Sequence, residues 1–254
     1  MDKPLILIVN DDSIFSNGIR ALWEAMSEIG KVVVVAPKTE KSASGHSITI
    51  SNPIRIQKIV QSNDFEGFAI HGTPADSVKI GVKVILETSP DIIVSGINSG
   101  PNVGQSLRYS GTVSAAAEGT FLGIPSIALS LNCFNPNNFN SAKIIAKEIV
   151  NKALAKGLPD GTLLNVNIPD LPSKNIKGYK ITEQGSMYFL DEFEKRKDPH
   201  GFDYYWLKAD SVDPDSSINF DKKALESGWV SITPLQLEMT NKDFIQNLHS
   251  WDFN

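Results

Sequence analysis

Short, uninterrupted aliphatic runs alternate along the chain with segments in which apolar residues return every three or four positions. Leu5–Val9 and Val32–Ala36 are two such runs. Between them, Ile19, Leu22 and Met26 fall on one face of a helix. Strands that are apolar throughout are typical of a sheet covered by helices on both faces. The strand–helix–strand order therefore predicts a parallel sheet of the α/β class.

The same patterns predict further elements. They indicate strands at 91–95, 126–131, 163–168 and 228–233, and helices from Pro74 and at 113–122, 141–154 and 243–251. The alternating segment 42–71 predicts an antiparallel ribbon. From about residue 176 aromatic residues become frequent and the strand–helix rhythm stops. We expect one domain, with a core of about 1–175 and 234–254 and an antiparallel oligomerisation arm of about 176–233.

Composition narrows the classes of function. The 254 residues carry a formal net charge of −5, which disfavours binding to duplex nucleic acid. A single cysteine, Cys133, excludes an internal disulfide and a cysteine-rich zinc site. The apolar run Leu5–Val9 is too short for a signal peptide, and we find no run long enough to span a bilayer. We therefore expect a cytoplasmic protein without a membrane partner.

Polar residues follow the predicted parallel strands at the edge where ligands usually bind in such sheets. Asp11 and Asp12 follow the first strand, Ser42 lies in the loop after the second, and Asn98 follows the strand at 91–95. Adjacent carboxylates repel each other, and a cation would neutralise them. An oxygen-only set favours a hard ion such as Mg²⁺, Mn²⁺ or Ca²⁺. The alternative is that one aspartate caps the next helix and the other is solvated.

A second candidate site precedes the alanine-rich helix at 113–122. Ser110, Gly111 and Thr112 lie where helix N–H groups and hydroxyls bind phosphate, although an ordinary helix cap is the alternative. The chain has no P-loop, no dinucleotide-binding glycine motif after the first strand, and no nucleophile elbow. The four histidines show no metal-ligand spacing. His46 lies in the loop 42–47, from which it could approach the ligand-binding edge, and we expect it to be a solvated loop residue.

Several strings that occur in order resemble the SurE family of stationary-phase survival proteins, which are 5′/3′-nucleotidases. The resemblance covers nearly the whole chain. The strings are Asn10-Asp11-Asp12, Gly72-Thr73-Pro74-Ala75-Asp76, Ser95-Gly96-Ile97-Asn98-Ser99-Gly100-Pro101-Asn102, Tyr109-Ser110-Gly111-Thr112-Val113, Leu164-Asn165-Val166-Asn167-Ile168-Pro169 and Gly228-Trp229-Val230-Ser231-Ile232-Thr233-Pro234-Leu235.

The resemblance implies a Rossmann-like core and a metal-dependent phosphomonoesterase that acts on nucleoside 5′- or 3′-monophosphates. It also implies polyphosphate cleavage in some members, and homodimers or homotetramers built through C-terminal arms. One Mg²⁺ or Mn²⁺ ion per subunit is implied. By the resemblance, the site residues are Asp11, Asp12, Ser42 and Asn98 for the metal, Asn102, Ser110, Gly111 and Thr112 for the phosphate, and Gly72, Thr73 and Asp76 for the nucleoside side.

The chain departs from the family pattern at two loops near this site. Ser13 replaces the usual glycine after the acidic pair, and the glycine after Ser42 is displaced to Gly45, which leaves Ser44 as the alternative ligand.

For the mechanism, we expect a metal-activated water, oriented by Asp11 or Asp12, and transition-state charge stabilised by Asn102 and the Ser110–Thr112 segment. Two alternatives remain: an aspartyl-phosphate intermediate, and a non-catalytic metal- and nucleotide-sensing module that resembles a receiver domain.

Overall fold

The computed structural model describes residues 3–61 and 64–253, and for Ala209 the backbone alone. Its strands are β1 (Leu5–Val9), β2 (Lys31–Pro37), β3 (Ile56–Val60), β4 (Glu66–Ile70), β5 (Ile92–Ser99), β6 (Ser126–Leu131), β7 (Thr162–Ile168), β8 (Tyr179–Ile181), β9 (Tyr188–Lys197), β10 (Asp203–Val212) and β11 (Val230–Gln236). Its α-helices are α1 (Asn17–Ser27), α2 (Pro74–Ile80), α3 (Gly111–Phe121), α4 (Asn140–Lys156), α5 (Asp221–Glu226) and α6 (Lys242–Leu248).

A mostly parallel sheet forms the centre of the molecule. Within the described ranges its strand order is β3-β4-β2-β1-β5-β6-β7-β11-β8. The strands from β4 to β7 run parallel to one another, whereas β3 and β11 pair in the antiparallel sense with β4 and β7. This topology confirms the predicted α/β fold with a parallel core and antiparallel additions.

Helices cover both faces of the sheet, as the continuous aliphatic strands predicted. Successive side chains of a strand point to opposite faces. In β1, Ile6 and Ile8 pack in the core that includes α1 and α4, and Leu7 and Val9 pack in the one that includes α2 and α3. All four side chains are fully buried. Burial on both faces holds the end of β1, and the residues after it, in a fixed place.

The C-terminal region divides between the sheet and a separate hairpin. The predicted arm of 176–233 includes β8 and the start of β11, and both belong to the central sheet. The part that pairs only with itself is the β9–β10 hairpin, with Tyr188 opposite Val212. Helix α6 contributes no buried residue. The sheet strand β11 and the hairpin lie on one stretch of chain, so composition alone did not separate them.

Two other predicted elements differ from the structure. Of the predicted ribbon, β3 and β4 form, and 42–55 has no regular secondary structure. The strand predicted at 91–95 continues to Ser99, because β5 resumes pairing with β6 at Asn98 after an irregularity. Asn98 therefore lies on the end of a strand. Across the described ranges, no helix has both the length and the apolarity needed to cross a bilayer.

Candidate active site

A cleft of about 810 Å³ lies beyond the carboxyl ends of β1 and β5. It brings together six of the predicted residues, which are Asp11, Asp12, Ser42, Asn98, Asn102 and Ser110. This is the edge at which ligands bind in open parallel sheets. The cleft wall also includes residues that were not predicted as site residues, among them Glu40, Tyr109, Phe134, Phe189 and Lys222.

Asp11 is a buried carboxylate at the base of the cleft. The Thr112 hydroxyl donates a 2.5 Å hydrogen bond to its Oδ1. A Cβ on Gly111 would lie 2.7 Å from the Cβ of Asp11, so glycine at this position lets the first turn of α3 pack against the carboxylate. Burial raises the pKa of Asp11 to about 6, although the Thr112 hydrogen bond acts in the opposite direction. Gly111 and Thr112 thus contact Asp11, and neither is among the residues that line the cleft.

Asp12 is less buried and has an acidic neighbour that was not predicted. Its Oδ2 accepts a hydrogen bond of 3.1 Å from the backbone N–H of Ser99. Burial raises the pKa of Asp12, and the charge of Glu40 raises it further. The Ser42 hydroxyl donates a 2.6 Å hydrogen bond to Glu40 Oε1. Glu40 could have been predicted as a site residue from its carboxyl group, because it lies two residues before the predicted ligand Ser42.

The loop at 41–47 is attached to the rest of the site at several points. The Lys41 N–H donates to the Asp11 carbonyl at 2.8 Å. His46 Nε2 lies 2.9 Å from Glu118 Oε2, and the His46 ring stacks on Phe121. Lys79 also contacts Glu118, at 2.6 Å. His46 is exposed, as predicted for a loop residue, and it has in addition a charged partner in Glu118, which is buried in α3.

The loop places the two candidate serines, Ser42 and Ser44, differently. Ser42 lines the cleft and Ser44 does not. The Ser44 hydroxyl is buried and has no hydrogen-bond partner among the described residues. Of the two alternatives, Ser42 is the one that lines the cleft, and its role as a ligand stays a prediction.

The two predicted asparagines are held by hydrogen bonds, Asn98 through its side-chain amide and Asn102 through its main-chain carbonyl. The Asn98 Nδ2 donates to the Gly100 carbonyl at 2.8 Å, which leaves Oδ1 as the atom that a cation would contact. The Asn102 carbonyl accepts from the amides of Asn165 and Asn167, at 2.9 and 2.8 Å. These two buried asparagines belong to β7 and were not predicted as site residues. They fix the backbone that presents Asn102 to the cleft.

Ser110 is both the N-cap of α3 and a residue of the cleft wall. Its hydroxyl accepts the N–H of Val113 at 3.1 Å. A hydroxyl can accept and donate at the same time, so its proton remains free for a bound anion. The ordinary cap and the anion site, which the sequence left as alternatives, are thus compatible in this residue.

Gly72, Thr73 and Asp76 lie apart from the cleft. Thr73 and Asp76 form a capping box at the start of α2, in which each side chain accepts the other residue's backbone N–H. Asp76 is buried and also accepts the Thr49 N–H at 3.1 Å. A Cβ on Gly72 would lie 2.9 Å from Asp76 Oδ2. The polar groups of Thr73 and Asp76 are thus used in starting the helix, and the nucleoside-side role of these residues stays a prediction.

The oxygen atoms of the cleft fit a hard divalent cation. Asp11 and Asp12 are partly or fully desolvated carboxylates, and a bound cation would offset the cost of charging both. In the described part of the chain, no three His, Cys, Asp or Glu side chains are grouped as a metal site. A metal here would therefore use the two carboxylates with amide and hydroxyl oxygens, a set that suits Mg²⁺ or Mn²⁺.

Comparisons with known proteins agree on one family. The sequence model described as "Survival protein SurE" matches residues 6–191. A 5′-nucleotidase SurE of Flavobacterium psychrophilum is 44% identical over 100% of both chains. One of Heliobacterium modesticaldum is 42% identical over 97% of this chain and 91% of its own. The crystal structure of the SurE protein from Aquifex aeolicus superposes with a TM-score of 0.85 at 44% identity, covering 96% of this chain and 98% of that one.

Proposed function

Because this chain belongs to the SurE family, we propose that it is a 5′-nucleotidase, which hydrolyses nucleoside monophosphates to nucleoside and phosphate. The observation that carries the proposal is the pair of buried Asp11 and half-buried Asp12 beside the N-terminus of α3. A metal-binding carboxylate pair and a phosphate-binding helix end are the two parts that a metal-dependent phosphatase needs.

We propose that Asp11, Asp12, Asn98 and Ser42 hold one Mg²⁺ or Mn²⁺ ion per subunit. When bound, the ion would polarise a phosphoryl oxygen and lower the pKa of a water. The Thr112 hydroxyl holds Asp11 Oδ1, and the Ser99 N–H holds Asp12 Oδ2. These hydrogen bonds orient both carboxylates before any ligand arrives, and one carboxylate orients the attacking water.

Neutral donors of the chain would bind the phosphoryl oxygens. The Ser110 proton is free to point into the cleft, and the first N–H groups of α3 give that end of the helix a partial positive charge. One N–H of Asn102 Nδ2 donates to Ser130 Oγ at 2.8 Å, and the second N–H of the amide can donate to a bound phosphoryl oxygen. Such preorganised donors stabilise charge that develops in the transition state.

The alternative non-catalytic sensing module receives no support from the comparisons, because the relatives are named as nucleotidases. We further propose that the chain assembles as a homodimer or homotetramer through the β9–β10 hairpin, whose exposed apolar side chains support such a contact.

The proposed function is tested by phosphate release. Purified protein is assayed with the 5′- and 3′-monophosphates of each nucleoside and with inorganic tripolyphosphate, each in Mg²⁺, Mn²⁺ or EDTA. We expect multiple turnovers on nucleoside monophosphates with a divalent ion and none in EDTA. No release under any condition would contradict the proposal.

Asp11→Asn tests the proposed metal ligand. Changes to residues that only support metal ligands cost about 10–100-fold, so loss of a ligand should lower kcat by at least about 100-fold. The matched control is Asp160→Asn, an exposed aspartate in the turn before β7. Equal activity of the two variants would remove Asp11 from the proposed mechanism.

A further inference from the structure

Two exposed aromatic rings border the polar cleft. Phe134 is 77% exposed and Tyr109 is 64% exposed, and both line the cleft with Asp11 and Asn98. Rings of this size normally bury most of their surface, since they bring a large hydrophobic gain when they do. The fold does not use these rings for its core, so a ligand is the natural partner for them.

Phe134 has a fixed place relative to Asn98. A Cβ on Gly100 would lie 2.7 Å from ring atom Cε1 of Phe134, so the ring rests against the glycine backbone. The φ of Gly100 is +107°, a value that other residues rarely adopt. The Gly100 carbonyl is also the acceptor for Asn98 Nδ2. One short loop thus connects the ring to the proposed metal ligand.

Tyr109 has a comparable relation to Ser110. It ends the 3₁₀ turn Gly104–Tyr109 and directly precedes the cap of α3. Its carbonyl accepts the Gly45 N–H at 3.0 Å, which attaches it to the loop that carries Ser42. Each ring therefore adjoins a residue proposed to bind the metal or the phosphate, Phe134 through the Gly100 loop and Tyr109 along the chain.

The charges of the cleft favour an uncharged group at these rings. Its acidic residues are Asp11, Asp12, Glu40 and Glu226, and Lys222 is the cation among its described lining residues. Lys222 already has carboxylate neighbours, Asp213 and Glu226, each at 3.8 Å. A chain of further phosphates would meet repulsion in this cleft, whereas a nucleobase is neutral and offers a flat face.

We propose that Phe134 and Tyr109 bind the nucleobase by stacking, and that they make the cleft select nucleoside monophosphates over phosphate esters without a base and over polyphosphate. This inference rests on the proposed function. Stacking on aromatic side chains is tolerant of base identity, because every base has a π face. We therefore expect small differences among the four bases and a large one between AMP and ribose 5-phosphate.

The test compares kcat/KM for AMP and ribose 5-phosphate at a saturating divalent ion. Loss of one stacking ring should lower the AMP to ribose 5-phosphate preference by about 10-fold, mainly through the KM for AMP. The variants are Phe134→Ala, Tyr109→Ala and Tyr109→Phe, and the last should keep the preference because it keeps the ring. The matched control is Phe253→Ala, which is equally exposed at 77% and lies outside the cleft.

Three outcomes would overturn the inference while leaving the proposed function in place. The first is equal kcat/KM for AMP and ribose 5-phosphate in the unchanged protein. The second is an equal loss on both substrates in Phe134→Ala. The third is a change of oligomeric mass in Phe134→Ala without a change of preference, which would assign the ring to contact with a second copy. Absence of phosphate release from every substrate is a different result, because it contradicts the proposed function itself.

Discussion

Asp11 combines three properties that the sequence did not indicate together. It is buried, it is held by Thr112, and it lies against a glycine that begins a helix. The position of Asp11 after an aliphatic strand was enough to predict its place in the cleft. The role of Thr112 as its hydrogen-bond donor was not predictable, because that contact joins residues 101 positions apart. A hydroxyl at a helix start is equally compatible with binding phosphate and with supporting a carboxylate.

The pKa of Asp11 makes a prediction about the stability of the metal-free protein. Burial raises that pKa from 3.8 to about 6, so the folded state keeps a proton that the unfolded chain has lost in this pH range. The free energy of unfolding should therefore fall as the pH rises from about 4 to 6. Asp11 alone should account for a fall of about 3 kcal/mol. In Asp11→Asn this contribution is absent.

The measurement is urea unfolding in EDTA at several pH values between 4 and 7, for the unchanged protein and Asp11→Asn. The difference between the two isolates Asp11 from groups whose pKa is lowered, such as Glu118 and Asp213, which act in the opposite direction. Identical pH dependence in both proteins would contradict the prediction. A divalent ion should abolish the fall in stability, because it favours the charged carboxylate.

At the scale of elements, periodicity predicted the strands and helices of the core better than it predicted the loops. The alternation of Ile48 and Ile50 suggested a strand, but both side chains are exposed. The path of the segment 42–55 is instead set by contacts with α2 and α3. Alternating apolar and polar residues indicate a strand with one buried and one exposed face only where a neighbouring strand pairs with the segment. Glu40 was missed for a related reason, since its approach to Asp12 depends on the course of this loop.

The Glu118 cluster gives a prediction for the loop at 41–47. Glu118 is buried and accepts from His46 of the loop and Lys79 of α2. Glu118→Ala should lower the free energy of unfolding by about 1–3 kcal/mol, because it removes two charge-assisted hydrogen bonds from a partly buried network. It should also raise the metal concentration needed for activity, since the loop carries Ser42.

The matched control for this variant is Glu66→Ala, which removes an exposed ion pair with Lys58. Exposed pairs contribute about 0–1 kcal/mol, so this variant should unfold close to the unchanged protein. Urea unfolding and a metal titration of phosphate release measure both effects. Equal unfolding free energies for the two variants would show that the cluster does not hold the loop.

At the scale of the whole molecule, the C-terminal aromatic segment could be recognised from the sequence, but the pairing of its strands could not. Trp206 and Leu207 of β10 are exposed, as expected for apolar residues that contact a second subunit. No local pattern indicated that β11 enters the sheet between β7 and β8. That placement depends on pairing between distant strands, and local patterns do not report it.

We predict that the hairpin carries the contact between subunits. Trp206→Asp should shift the protein from a dimer or tetramer to a smaller species, because a charge in an apolar contact loses its water without gaining a partner. Analytical ultracentrifugation across a range of protein concentrations measures the change. The control is Met239→Asp, at a residue 95% exposed and outside the hairpin. A monomeric unchanged protein, or equal masses for both variants, would contradict the prediction.

The hairpin also borders the cleft, since Phe189 of β9 and Ser211 of β10 line its wall. If subunits meet along this hairpin, the contact that orders it also shapes the place where substrate binds. Catalysis then becomes sensitive to dilution: specific activity should fall when the protein is diluted below the dissociation constant of its assembly and should recover on concentration. Turnover measured per subunit over a dilution series tests this, with a constant value as the contrary result. The amount of protein present would in that case act as a control on how fast each copy works.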